Sequence, residues 1–435
     1  MSLRIRLGKK LEWNMRGLFT LIHRWIGLAI ATFIVVSGLT GAVISWDHEL
    51  DELINPHLLL SPHVGARVPP LDIISHAETS EPRAFVVYMA LDPEPGRNYE
   101  VMLEPKVDPA TGKLYNLDFN RIYYDSVTGA EVGRRNWGAA WPITRETFVS
   151  FLYKLHYMYH IPEMWGTDRW GYWLLGIVAL VWTLDCFVGF YLTLPLRRKE
   201  REATPSKGYW ARWKPAWQIK TSGSAYRINF DVHRAFGLWF WVLLFIVAFT
   251  GFSLNLYREV FYPMMSMVSQ VTPDIFMTRE PTPIGKPITP KLTFDAVLAK
   301  GEIEASRQGI KEPPGGVFYA TQWGVYGVLF FKSGDDHGSG GVGPALLTFD
   351  QEDGRYLGRR IPWEGTAADI FLQAQFPLHS GRILGLPGRI AISLLGLACA
   401  ALAVTGVVIW YRKRRARIRV RIAERERLNR QVAVV

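Results

Sequence analysis

Four stretches of the chain are apolar over roughly the 20 residues that a helix needs to cross a bilayer. Residues 17–45, 170–195, 233–256 and 389–411 are accordingly predicted as transmembrane helices. The first is too long and too weakly terminated for a cleavable signal peptide, so it is expected to stay as an anchor. Between the spans the pattern changes. Residues 84–89, 99–103 and 121–124 half-alternate between turn residues, as strands do. Farther on, Leu292, Phe294, Val297, Leu298 and Ile303 follow helical spacing over 292–308, ahead of expected strands near 317–320 and 325–331. Residues 46–168 and 257–388 thus read as two external modules of α+β type. The glycine-rich run 338–343, next to Asp336 and His337, reads as a loop because it does not open a helix as a phosphate loop would. The predicted class is an α-helical membrane protein: four transmembrane helices in two parallel repeats, with two external α+β modules.

The repeat is visible residue by residue. His23-Arg24-Trp25-Ile26-Gly27-Leu28 opens the first span and His233-Arg234-Ala235-Phe236-Gly237-Leu238 opens the third. In both copies Gly stands four residues after His, and Thr-Gly stands seventeen and eighteen after it, as Thr40-Gly41 and Thr250-Gly251. Each module ends alike, with Asp125, Gly129 and Arg134-Arg135 matching Asp350, Gly354 and Arg359-Arg360. Asp with Gly four residues on suits a tight hairpin, the carboxylate accepting from backbone amides and Gly taking a positive φ. Farther along come Leu155-His156 and Leu378-His379. Parallel repeats of this kind place equivalent residues at one depth.

Charge then orients the chain. The 435 residues are 49% hydrophobic and carry a net charge of +11, and the basic residues lie beside the spans. Arg4, Arg6, Lys9, Lys10 and Arg16 precede the first, Arg197, Arg198, Lys199, Arg201, Lys207, Arg212 and Lys214 follow the second, and residues 412–430 follow the fourth. By the positive-inside rule residues 1–16, 196–230 and 412–435 are cytoplasmic and both modules external. The basic excess therefore reads as topology and contact with anionic membrane lipids, not as nucleic-acid binding. Trp210, Trp213 and Trp217 suit a linker lying on the membrane surface. Cys186 and Cys399 both fall within predicted spans, and the absence of Cys-x-x-Cys-His excludes c-type haem attachment by the usual motif.

An ionisable imidazole at the head of a span is costly unless something binds it. Neutral imidazole ligates haem iron, and two of them leave no vacant position, which favours electron transfer. Depth sorts the duplicated histidines into an inner pair, His23 with His233, and an outer pair, His156 with His379. From His23 to the end of its span is about 33 Å at 1.5 Å per residue, enough for two sites in one bilayer. His160 lies four residues after His156, on the same face if the segment is helical, so either could be the outer ligand. The match with His379, and Pro162 just beyond His160, favour His156. Arg24 and Arg234 read equally as partners for haem propionates and as positive-inside anchors. Gly27, Gly41, Gly237 and Gly251 read as points where a macrocycle or a neighbouring helix comes close. Asp185, inside the second span, is a candidate for proton handling or quinol chemistry, or for a structural hydrogen bond to another helix. His48, His57, His63, His76 and His337 lack repeat partners and are expected to be solvated.

The His23–Leu28 segment, Asp231-Val232-His233-Arg234 with Gly237-Leu238, Leu155-His156, Leu378-His379-Ser380-Gly381-Arg382 and the paired Asp-x-x-x-Gly turns resemble the PepSY-associated transmembrane proteins, a family that includes ferric-siderophore reductases of the FoxB type. The resemblance covers nearly the whole chain except its ends and the linker. It implies a bacterial inner-membrane protein with two periplasmic PepSY-like modules and two non-covalent b-type haems. The ligands it implies are His23 with His233, and His156 with His379, carrying electrons outward to a ferric siderophore or another Fe(III) chelate. The sequence departs from the family at Tyr157-Met158-Tyr159-His160, where aliphatic residues are commoner, and this bears on the outer pair. With no flavin or nicotinamide fingerprint, the expected electron donor is a separate cytoplasmic reductase or membrane quinol. Two rivals remain: a cofactor-free scaffold that binds peptides or regulates an envelope protease, and a siderophore permease. For the latter, four spans with an uninterrupted inner half offer little pathway.

Overall fold

The computed structural model describes residues 15–195 and 208–432. In chain order the main elements are α1 (Met15–Ile44), α2 (Pro70–Ser80), β1 (Ala84–Ala90), β2 (Tyr99–Pro105), β3 (Arg121–Tyr124), β4 (Glu131–Arg135), α3 (Phe148–Met158) and α4 (Trp170–Thr193). The second half supplies α5 (Ala225–Trp239), α6 (Trp241–Asn255), α7 (Phe294–Gln308), β5 (Pro314–Ala320), β6 (Val325–Phe330), β7 (Ala345–Asp350), β8 (Tyr356–Arg360), α8 (Gln375–Ser380) and α9 (Gly385–Val432). Two units result. One is helical, built from described residues up to Leu39, Ile177–Phe249 and those from Leu395 on; the other comprises Thr40–Gly176 and Thr250–Leu394.

Helices α1, α4 and α9 are long and apolar enough to cross a membrane, and α5 with α6 makes a fourth span if that pair, bent by 70°, is counted as one. The span expected over 233–256 falls across this bend. The bend has a chemical cause: α5 carries Arg227, Asp231, His233 and Arg234, whereas α6 has no charged residue. Charge is costly in hydrocarbon, so only α6 has the composition of a buried span. On α5 the fully buried Asp231 accepts from Arg227 Nε and Arg234, both at 2.9 Å. The uninterrupted inner half expected of the spans therefore fails at the third. Helix α9 differs as well, since the predicted span 389–411 and the basic tail form one 48-residue helix. Rich in Arg and free of Pro and Gly after Gly406, its end has nothing to stop it.

The basic clusters at Arg4, Arg6, Lys9 and Lys10, and at Arg197, Arg198, Lys199, Arg201 and Lys207, lie outside the described residues. Arg16 is described: it donates to the Leu194 carbonyl at 3.0 Å, satisfying an acceptor that the end of α4 leaves open. Of the linker tryptophans, Trp210 is exposed, but Trp213 is buried with Ala216 and Leu238, its ring 6.0 Å from that of Phe190. Trp213 thus belongs to the core of its unit.

The eight strands form one antiparallel sheet in the order β4-β3-β2-β1-β5-β6-β7-β8. Two four-stranded meanders, one from each predicted module, meet where β1 pairs with β5 through Tyr88↔Phe318, Met89↔Val317 and Ala90↔Gly316. Separate modules would leave two more strand edges open, and joining them removes that liability. Helices α2 and α7 bury Ile73, Ile74 and Ala77, and Phe294, Val297 and Ala305, against strand residues such as Val101, Ile122, Val328 and Leu347. Residues 338–343 form a loop with a single turn at Ser339–Gly341 and positive φ at Gly338, Gly340, Gly341 and Gly343.

The repeated Asp turns join β3 to β4 and β7 to β8. Asp125 Oδ1 accepts from the amides of Val127 (3.0 Å) and Thr128 (2.8 Å), and Gly129 takes φ 72°. Asp350 Oδ1 accepts from the Glu352 amide at 2.9 Å, and Gly354 takes φ 70°. Their second oxygens differ in partner. Asp125 Oδ2 meets His63 Nδ1 at 2.9 Å and Ser61 at 2.7 Å, while Asp350 Oδ2 accepts from Arg279 at 2.7 Å. Burial pushes both carboxyls up, but these bonds outweigh it and hold both below the ordinary carboxylate range.

Candidate functional site

In the helical unit, His23 of α1 and His233 of α5 face each other with ring centres 6.2 Å apart and planes inclined by 56°. Each ring is anchored through Nδ1 and given room by a glycine. His23 Nδ1 donates to Asp185 Oδ2 on α4 at 2.8 Å, and a Cβ at Gly189 would stand 3.5 Å from its Cε1. His233 Nδ1 donates to the Leu402 carbonyl on α9 at 3.0 Å, with Thr405 Oγ1 at 3.1 Å, and a Cβ at Gly406 would stand 3.1 Å from its Cε1. Because a carboxylate or carbonyl can only accept, Nδ1 carries the proton and Nε2 keeps its lone pair.

In the other unit, His156 of α3 and His379 of α8 stand 6.0 Å apart at 62°. Thr40 Oγ1 lies 3.2 Å from His156 Nδ1, and Thr250 Oγ1 lies 2.9 Å from His379 Nδ1. Both threonines are buried. A Cβ at Gly41 would come within 2.8 Å of His156 Cε1. The Thr-Gly pair that marks the repeat therefore has a purpose: the hydroxyl fixes the imidazole of the same half, and at Gly41 the missing side chain lets the ring lie against the helix. On α8, the buried Gln375 accepts from Ser253 at 2.8 Å, and the helix ends at Gly381 with φ 75°.

His160 does not share the face of His156. Helix α3 stops at Met158, Tyr159 and His160 both take positive φ (56° and 51°), and His160 stacks on Phe151 at 4.7 Å with Nε2 bonded to the Phe151 carbonyl at 2.9 Å. The helix ends before Pro162 is reached, which Tyr159 in the left-handed conformation accomplishes.

Both pairs fit a haem. Iron with an imidazole on each face separates the ring centres by about 6 Å, taking a metal–nitrogen bond of about 2 Å and roughly 1 Å from nitrogen to ring centre. Two imidazoles alone leave four positions of an octahedral metal to fill, which a porphyrin does. Beside the first pair two glycines have open surroundings. A Cβ at Gly27 would meet nothing within 4 Å, and one at Gly237 would meet only Leu402 Cδ2 at 4.0 Å.

The flanking arginines divide. Arg234 donates through Nη2 to Asp231 at 2.9 Å and to the Pro215 carbonyl, over the Phe230 ring, while its buried Nε has no hydrogen-bond partner among the described residues. Arg24 is half-buried and bonds to no described residue. Asp185, 6% exposed, makes a hydrogen bond to another helix, and the partner is a candidate ligand. Sequence reasoning placed Asp185 in the membrane but gave it no partner, and it missed Gly189, Gly406 and Thr405 altogether. A signal existed in the aligned runs Val188-Gly189 and Thr405-Gly406 of the two return spans.

The unpaired histidines are also less solitary than expected. His63 bonds to Asp125, His57 to Glu146 at 3.0 Å, and the His76 ring lies 5.3 Å from Tyr124. His48 and His337, one from each half, face each other at 5.0 Å. They line an open cleft of about 790 Å³ with Glu49, Glu52, Asp336 and Arg382. An Arg389 hydrogen bond draws the Glu49 carboxyl down to about 2.

Apolar helices of spanning length and a sheet shared by both halves, in a chain that repeats His23 as His233 and His156 as His379, define a duplicated membrane protein. The PepSY-associated TM region family matches residues 20–413, and the chain belongs to that family. No curated protein matches it.

Proposed function

We propose that this is an inner-membrane electron-transfer protein holding two b-type haems, one between His23 and His233 and one between His156 and His379. In this reading it acts as a ferric-siderophore reductase, reducing a periplasmic Fe(III) chelate for iron acquisition. The observation that carries the reading is the meeting of four repeated histidines in twos, 6.2 Å and 6.0 Å apart, with Nδ1 engaged at every ring. Haem held in this way supplies one-electron transfer with no open position for oxygen.

The chain's part is positioning. Asp185, Thr405, Thr40 and Thr250 hold the rings by Nδ1 and aim Nε2, while Gly41, Gly189 and Gly406 let the ring edges lie against their helices. The cleft that brings His48 and His337 together has a volume suited to a small chelate, and Arg382, three residues after His379, lines it. One electron converts the chelate's Fe(III) to Fe(II), whose lower charge weakens the grip of hard oxygen donors. The donor in this reading is a cytoplasmic reductase or membrane quinol, with both termini cytoplasmic by the positive-inside rule.

A visible spectrum of purified protein before and after dithionite, with haem quantified per chain, tests the reading. Two haems and sharp low-spin reduced bands are expected. Colourless protein from haem-replete cells would instead favour the peptide-binding scaffold.

A further inference from the structure

We propose that Asp185 is a tuning residue that lowers the reduction potential of the haem ligated by His23 and His233, making that site the stronger electron donor of the chain. The inference rests on the haem reading above and adds a role for one carboxylate. Its first support is the bond itself: His23 Nδ1 donates to Asp185 Oδ2 at 2.8 Å, whereas the Nδ1 atoms of His233, His156 and His379 meet the Leu402 carbonyl and the hydroxyls of Thr405, Thr40 and Thr250.

The second is the broken repeat. Asp185 stands four residues before Gly189, the glycine against His23, and Leu402 stands four residues before Gly406, the glycine against His233. At equivalent places the return spans thus offer a carboxylate in one half and a leucine backbone in the other. Holding the ring needs no charge, as Leu402 demonstrates. The third is burial, with Asp185 6% exposed and its Oδ1 lacking any hydrogen-bond partner among the described residues.

A carboxylate drawing on the Nδ1 proton makes the imidazole a richer donor, which favours Fe(III) over Fe(II). Its negative charge in a low-dielectric setting acts in the same direction. Both effects lower the potential. With haem bound at both sites, a lower potential between His23 and His233 would make loss of one electron from Fe(II) there, and its gain by Fe(III) between His156 and His379, the favoured direction.

The test is a spectroelectrochemical titration of Asp185→Asn, which keeps the size and an acceptor oxygen but removes the charge. The haem that is missing from His233→Ala is expected to shift at least tenfold toward its reduced form, which is 59 mV for one electron. Its ferric low-spin resonance should shift too, with the other haem unmoved, and Asp185→Glu should keep the low potential. A haem-loaded Asp185→Asn with unchanged potentials overturns the proposal. Should Asp185→Asn lose that haem, Thr250→Asp decides, because a carboxylate beside His379 must then lower the potential of the second haem, and no lowering overturns the idea. Wild-type protein without haem would sink the functional reading itself, a result distinct from unmoved potentials.

Discussion

In the first half of the chain a carboxylate, Asp185, faces the ligand-type histidine, while in the second half the same place is held by Leu402 and the bond goes to its carbonyl. The sheet shows the same contrast. At the end of β4, the Arg135 side chain is 2% exposed and pairs with Asp51 at 2.8 Å; at the end of β8, its counterpart Arg360 is exposed. Asp125 is met by His63 and Asp350 by Arg279. The rings, the turns and the threonines at 40 and 250 keep their places through the duplication, whereas charge has been reassigned. A repeated backbone fixes geometry, because moving one element would disturb every neighbour packed on it. A single ionisable side chain can change with much less rearrangement, so electrostatics is where the copies diverge.

The largest effect expected concerns what the halves share. Each pair takes one histidine from each half, so His23→Ala and His233→Ala should lose the same haem, and His156→Ala and His379→Ala the other, read as haem per chain. Single variants that keep both haems would break the equivalence of the copies. Next is the buried charge that they do not share. Arg135→Ala leaves the partly buried Asp51, 14% exposed, without its cation and should cost about 3 kcal/mol, against about 0.5 kcal/mol or less for Arg360→Ala, in chemical denaturation. Equal costs would mean that the two strand ends are electrostatically alike.

A graded effect should follow at the glycines. Gly41→Ala, whose Cβ would sit 2.8 Å from His156, should lower occupancy of that site markedly, and Gly189→Ala, at 3.5 Å from His23, should be tolerated. Acid should act on both Asp turns. The Asp125 and Asp350 carboxyls are lowered in the folded protein, so the stability they confer is complete above their unfolded value near 4 and is lost as pH falls toward the folded values. Thermal melts should therefore drop below about pH 4, and Asp125→Asn and Asp350→Asn should each flatten the decline. Smallest of all, His160→Ala should leave haem content unchanged, since that ring is bonded to Phe151.

Much of this was legible before the fold. Strand β3 occupies the residues expected from alternation, 121–124, and α7 starts at Phe294, two residues later than expected, after Thr293 in extended conformation. The histidine pairs follow from duplication plus depth, which is why four rings could be sorted without coordinates. Hydropathy cannot register the 70° bend after Trp239, because averaging over a window merges charged α5 with apolar α6. Nor can it find contacts made once: Asp185 with His23 spans 162 residues, and the His48–His337 contact and the β1–β5 joint have no repeat to announce them.

The most direct test of the central claim is the haem content of the double variant His233→Ala/His379→Ala, purified from haem-replete cells alongside wild type and the two single variants. One histidine is then missing from each proposed site. The account predicts two haems per wild-type chain, one in each single variant and none in the double. A folded double variant that retains haem at wild-type stoichiometry would contradict it.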